Sequence, residues 1–112
     1  MKWSELEENE CPIARTLSVV GDRWTLLILR DCFLGRSRFS EFRASLGITR
    51  HVLSDRLAGL VAEGILDKTE YARGRFDYRL TDKGEALGPI LRSMFDWGKA
   101  YRPLRRPVRS KG

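Results

Sequence analysis

Histidine and cysteine are scarce in this chain: one histidine, His51, and two cysteines, Cys11 and Cys32. That set cannot supply a zinc site of ordinary ligand spacing, and two lone thiols do not suit a structural disulfide in a reducing compartment. No metal and no cofactor are therefore expected. No apolar run approaches the ~18 residues that a membrane span needs, and Glu5, Glu7, Glu8 and Glu10 crowd the first ten positions. Neither a membrane span nor a secretory signal is expected, and the chain reads as cytoplasmic with no membrane partner. Also missing are a nucleophile–base–carboxylate set, a glycine-rich phosphate loop and a carboxylate pair suited to a cleft. An enzyme is not expected on that ground.

Acidic residues are absent from positions 102–112, which carry Arg102, Arg105, Arg106, Arg109 and Lys111 together with Pro103 and Pro107. Of the net charge of +6, this segment holds +5, residues 1–10 hold −3, and the body between them holds +4. A basic pI suits a polyanionic partner, but here much of it belongs to a proline-rich end. Three parts are expected: an acidic N-terminal arm (1–10), one folded domain (11–101), and a basic tail (102–112) whose composition suits disorder.

Within the domain, breakers and periodicity mark the elements. Pro12 suits a first helical position, Ile13, Leu17 and Val20 follow at helical spacing, and Gly21 ends the run. Asp22 can cap a second helix with Trp24, Leu27, Ile28 and Cys32 on one face and a stop at Gly35. A third helix spans Arg38–Leu46 with Phe39, Phe42 and Leu46 inward. Gly47 then supplies a tight turn with positive φ, and a fourth helix runs from Thr49 to about Glu63 with Leu53, Leu57, Leu60 and Val61 as its buried stripe.

Two packed helices could share this pattern, but the next segment narrows the choice. Residues 65–71 and 76–80 alternate apolar and polar around Ala72-Arg73-Gly74-Arg75, which predicts a hairpin. Asp82 and Glu85 fit a capping box for a last helix carrying Leu87, Ile90, Leu91, Met94, Phe95, Gly98 and Tyr101, with Pro89 kinking it or delaying its start. The expected fold is mainly α with a small β-hairpin: a winged helix-turn-helix with additional helices at both ends, placed for dimerisation.

Several local motifs carry a family resemblance over roughly residues 11–97. They are Cys11-Pro12, Gly21-Asp22-Arg23-Trp24 with Leu27-Ile28-Leu29, and Arg38-Phe39-Ser40-Glu41-Phe42. Gly47-Ile48-Thr49 leads to Leu53 and Arg56-Leu57, and Glu63-Gly64, Tyr78-Arg79-Leu80-Thr81, Gly84 and Trp97 complete the set. Together they resemble the HxlR-type winged helix-turn-helix transcriptional regulators of bacteria and archaea. The resemblance implies a homodimer that binds operator DNA near the genes it controls. The wing tip departs from it by lacking the proline often found there, and the tail after Tyr101 lies outside it.

In such a fold the first turn of the fourth helix meets base edges. Thr49, Arg50, His51, Ser54 and Asp55 occupy the face opposite the leucines. Arg50 can donate twice to a guanine edge, and Thr49 can cap the helix near a phosphate. Asp55 would either accept from a cytosine amino group or pair with an arginine. A merely solvated helix face is the plain alternative. Arg36, Ser37 and Arg38, with Arg73 and Arg75 at the wing tip, are candidate phosphate contacts, the wing arginines alternatively serving only as soluble turn residues.

Ile13, Leu17, Leu87, Leu91, Met94, Phe95, Trp97 and Tyr101 form a second apolar layer that a two-fold dimer would bury, although intramolecular packing can account for some of them. Cys32 falls on an apolar stripe and reads as core filling. Cys11 stands at a helix N-terminus, where the dipole lowers a thiol pKa, with Glu8 and Glu10 opposing. In the family it resembles, some members sense electrophiles or oxidants through a cysteine at this place, so Cys11 is either a redox sensor or an inert thiol. The expected function is sequence-specific regulation of transcription by a homodimer on a pseudo-palindromic duplex operator, with an oxidant or small-molecule signal. A winged-helix protein-interaction module without specific DNA binding is the alternative.

Overall fold

Backbone breakers and caps set the element boundaries in the computed structural model, which describes residues 2–105. The described elements are, in order, α1 (Trp3–Leu6), α2 (Pro12–Val20), α3 (Thr25–Phe33), α4 (Phe39–Leu46), α5 (Arg50–Ala62), β1 (Leu66–Ala72), β2 (Arg75–Leu80), α6 (Asp82–Glu85) and α7 (Gly88–Tyr101). This is the expected winged helix-turn-helix, with a two-stranded antiparallel wing and helices on both flanks. The short α1 inside the acidic arm was not expected. The expectation of a disordered tail falls, for residues 106–112, outside the described residues.

The helix-turn-helix is built locally. Glu41 reaches back so that its Oε1 accepts from the backbone N–H groups of Ser37 and Arg38 (2.9 and 3.0 Å), which fixes the start of α4. Gly47 adopts φ +66° and donates its N–H to the Arg43 carbonyl, closing α4 in the left-handed conformation that other residues resist. Arg43 Nε then donates across the turn to the Ile48 carbonyl at 3.1 Å. Thr49 caps α5, its hydroxyl accepting from Val52 N–H at 3.3 Å.

One core ties these pieces together: Val20 from α2, Ile28 and Leu29 from α3, Phe42, Ile48, Leu53, Leu57 and Leu60 from the helix-turn-helix, and Ile65, Leu66 and Tyr78 from the wing root. Fully burying a side chain such as Leu53 or Leu57, each no more than 1% exposed, stabilises the fold by about 1.5–3 kcal/mol. The inward face of α3 is rotated from the expected one. Thr25, Ile28, Leu29 and Asp31 are buried, while Trp24 and Cys32 are only half-buried and pack at the margin of the core.

Two further expectations change. In β1 the apolar–polar alternation does not become an inside–outside alternation, because only Leu66 is buried and the rest of the strand projects into solvent. The expected last helix divides into α6 and α7, and α6 is capped by Thr81 rather than Asp82. Thr81 Oγ1 accepts from Gly84 N–H at 3.1 Å and donates to the Gly64 carbonyl at 2.5 Å, which also anchors the wing root. Pro89 sits in the first turn of α7, so the helix restarts there after the short α6.

Candidate nucleic-acid interface

The first turn of α5 and the wing flank a common groove of about 450 Å³. Arg38, Arg50 and Arg75 supply its positive charge, and Phe39, Tyr71 and Phe76 its aromatic walls. Arg50 is exposed at the start of α5, its guanidinium 5.9 Å from the Phe39 ring centroid. His51 and Ser54 are exposed on the same helix. Arg73 and Arg75 are exposed where Gly74, at φ +70°, reverses the chain. The Glu70 carboxylate accepts from Gly74 N–H at 2.8 Å and holds that turn closed. Among the described residues, no carboxylate lies within ion-pairing distance of Arg50, Arg73 or Arg75.

Other predicted site residues are already engaged. Of its two open alternatives, Asp55 takes the arginine pair, with Arg56 Nη1 at 2.7 Å. Arg36 lies 3.6 Å from the fully buried Asp31, whose same oxygen also accepts from Arg30. Ser37 is buried: its hydroxyl donates to Asp77 Oδ1 at 3.1 Å, and its carbonyl accepts from Tyr78 N–H at 2.7 Å. Arg38 pairs with Asp77 at 3.2 Å and stacks 3.9 Å from the Tyr71 centroid. Thr49 is exposed, but its oxygen serves the helix cap.

Two carboxylates hold this surface in place: Asp22, expected as a helix cap, and Asp77, which the sequence pattern did not single out. Asp22 accepts from the N–H groups of Trp24 and Thr25, starting α3, and from Arg56 Nε at 3.2 Å, joining α3 to α5. Burial opposes ionisation of Asp22, yet the bonds from Thr25, Trp24 and Arg56 outweigh it and hold the carboxyl below the usual range. The Asp77 carboxyl is likewise depressed: desolvation raises it, and the bonds from Ser37 and Arg38 more than reverse that. No short-range signal marks the tie of Asp22 to Arg56 or of Asp77 to Ser37, since those partners lie 34 and 40 positions away.

The terminal helices carry the apolar surface. Ile13 (71% exposed) and Leu17 project from α2, and Met94, Phe95, Trp97 and Tyr101 from α7. Leu87 and Leu91 instead pack against the core, so those two have intramolecular partners. Cys11 is exposed immediately before Pro12. The backbone N–H groups of Ala14 and Ile13 at the start of α2 lower its thiol pKa, whereas burial, helped by Asp31, pushes Cys32 up to about 12.

Known proteins share this architecture. Residues 19–106 match the HxlR-like helix-turn-helix family. An uncharacterised HTH-type transcriptional regulator of Mycobacterium tuberculosis is 43% identical over 93 residues, covering 81% of this chain and 59% of the relative. The chain thus spans about three-fifths of the length of its mycobacterial relatives. YybR, an HTH-type transcriptional regulator of Bacillus subtilis, is 34% identical over 105 residues, covering 91% of this chain and 84% of its own. Among solved structures, PA1607, a candidate transcription factor, superposes with a TM-score of 0.85 at 38% identity, covering 96% of this chain and 77% of that one. The redox regulator HypR in its reduced form gives 0.77 at 34% identity, with 82% and 94% covered. No helix among the described residues is long and apolar enough to cross a membrane. The chain belongs to the HxlR-like helix-turn-helix family, whose matched relatives are HTH-type transcriptional regulators.

Proposed function

We propose that the protein is a homodimeric, sequence-specific DNA-binding regulator of transcription. The observation that carries the reading is the groove between α5 and the wing, where Arg50 and Arg75 face a common space without carboxylate partners among the described residues. In this reading Arg50 reads a base edge in the major groove, His51 and Ser54 contribute adjacent contacts, and Arg73 and Arg75 hold the flanking phosphates.

The dimer rests on α7. None of its 14 residues is buried, although Ile90, Met94, Trp97 and Tyr101 recur at alternating spacings of four and three. Together with Ile13 and Leu17, that stripe is too apolar to be left in water. A Cα radius of gyration of 15.9 Å, against about 13 Å for a compact chain of this size, fits elements that extend toward a second copy. A two-fold pair would set the α5 helices one turn of DNA apart, about 34 Å. Cys11, exposed and with a lowered pKa, is the candidate thiol through which an oxidant or electrophile would reach this dimer. The similarity to a regulator solved in both reduced and oxidised forms supports that role.

Selection from a randomised DNA duplex library tests the reading. The expected product is a two-fold-related site, and Arg50→Ala should flatten the sequence preference at one position in each half-site. A folded protein that enriches no sequence at low salt would overturn it and leave a protein-interaction module.

A further inference from the structure

We propose that Arg38 and Asp77 form a latch that sets the pitch of the wing against the helix-turn-helix, making Arg38 a positioning residue and not a phosphate contact. The inference rests on the DNA-binding reading above and assigns a role within the same groove.

Arg38 is the residue before α4, and Asp77 lies in the middle of β2. The Asp77 side chain is only 13% exposed. Its Oδ1 accepts from Ser37 Oγ at 3.1 Å and Arg38 Nε at 3.2 Å, and its Oδ2 faces Arg79 at 3.5 Å. The main chain follows the same seam, with a bridge between Arg38 and Asp77 and the Tyr78 N–H donating to the Ser37 carbonyl at 2.7 Å. On its other side the Arg38 guanidinium lies 3.9 Å from the ring centroid of Tyr71, which sits at the register shift between Glu70 and Ala72. One side chain from the edge of the helix-turn-helix therefore grips both strands of the wing.

Charge argues the same way. A carboxylate beside a DNA groove repels phosphate, so Asp77 weakens binding unless it does something else there. Its bonds to Ser37 and Arg38 keep it ionised and oriented. An arginine held against that carboxylate and stacked on an aromatic ring would have to give up both contacts to reach a phosphate. Arg50 and Arg75 line the same groove without that constraint.

The test uses the duplex recovered by selection on the wild-type protein. Affinity and its salt dependence are measured for Arg38→Ala, Asp77→Ala, both together, and the exchanged pair Arg38→Asp with Asp77→Arg. The latch predicts that each single change weakens binding about tenfold and that the double change costs no more than either alone. It also predicts an unchanged salt slope and recovery of most of the affinity by the exchanged pair. If Arg38 contacts phosphate directly, Asp77→Ala should tighten binding and Arg38→Ala should lower the slope by about one; either result, or additive losses, overturns the latch.

Should Asp77→Ala fail to fold, Arg38→Lys keeps the charge but loses the Nε donor. It should lose affinity as Arg38→Ala does, and wild-type affinity would contradict the latch. A wild-type protein that selects no duplex would defeat the DNA-binding reading instead. The latch is then still tested by hydrogen exchange at the Tyr78 amide, which should quicken in Arg38→Ala; unchanged protection would overturn it.

Discussion

Replacing Gly84 by alanine should destabilise the protein, although helix propensity alone says the opposite. Gly84 lies in α6, where alanine would ordinarily gain about 1 kcal/mol over glycine. A Cβ built at Gly84, however, meets the Ile65 carbonyl oxygen at 2.3 Å, with Leu80 Cδ2 at 3.0 Å and Ile65 Cγ2 at 3.2 Å. The carbonyl belongs to the backbone and cannot rotate aside. The same oxygen accepts from Thr81 N–H at 3.0 Å and Thr81 Oγ1 at 3.2 Å, so moving it strains the junction of wing and C-terminal helices. Overpacking of this kind costs about 1–3 kcal/mol and sometimes more. Because the clash is with main chain, the upper part of that range applies, and the net loss after the propensity gain is about 2 kcal/mol.

For a domain near 100 residues that loss corresponds to a drop in Tm of about 8–16 °C. The assay is thermal and urea unfolding at one fixed protomer concentration, since dimerisation would otherwise contribute. Gly59→Ala in α5 is the matched control: its added Cβ meets nothing within 4 Å, so it should raise stability by up to about 1 kcal/mol. A Gly84→Ala protein as stable as wild type, or equal shifts for the two variants, would refute the packing argument.

Three further outcomes follow from the local chemistry. Thr49→Ala removes the cap that receives Val52 N–H and should lower the unfolding free energy by about 1 kcal/mol in urea. The Asp22 carboxyl has a depressed folded pKa, so its stabilisation is present above the unfolded value near ~3.9 and is lost as pH falls through the lower folded value. Asp22→Asn should therefore flatten the fall in urea midpoint between pH 6 and pH 2, and an unchanged pH profile would contradict the assignment. Cys11 should react with iodoacetamide at pH 8 well before Cys32, whose thiol is pushed up to about 12. Peptide mass spectrometry reads the two rates, and equal labelling would remove the basis for a sensing role of Cys11.

Chain punctuation made the fold legible. Gly47 demanded a left-handed turn and Gly74 a chain reversal, Pro12 marked a helix start, Pro89 a kink or a delayed start, and Thr49 announced a cap, all through interactions within a few residues. Local rules did less well where several caps competed, and Thr81 rather than Asp82 took that role because its hydroxyl also reaches Gly64. The wing escaped its period-two pattern because every residue of β1 after Leu66 is exposed, on both faces of the strand. For the candidate site, the sequence offered arginines without sorting them. Whether an arginine is free or already committed depends on carboxylates far along the chain, as with Arg38 and Asp77, or on one buried beside it in space, as with Arg36 and Asp31. The burial of Ser37 follows from its tie to β2, 40 positions on, to which no periodicity is sensitive.

The measurement that bears most directly on the central claim is the salt dependence of binding to the selected duplex, followed by fluorescence anisotropy. Arg50, Arg73 and Arg75 are exposed and without carboxylate partners among the described residues. If each protomer of a dimer sets Arg73 and Arg75 against phosphates while Arg50 reads a base edge, the plot of log affinity against log salt should fall with a slope of about −4. A slope shallower than about −2, or no detectable binding at low salt, would contradict the account.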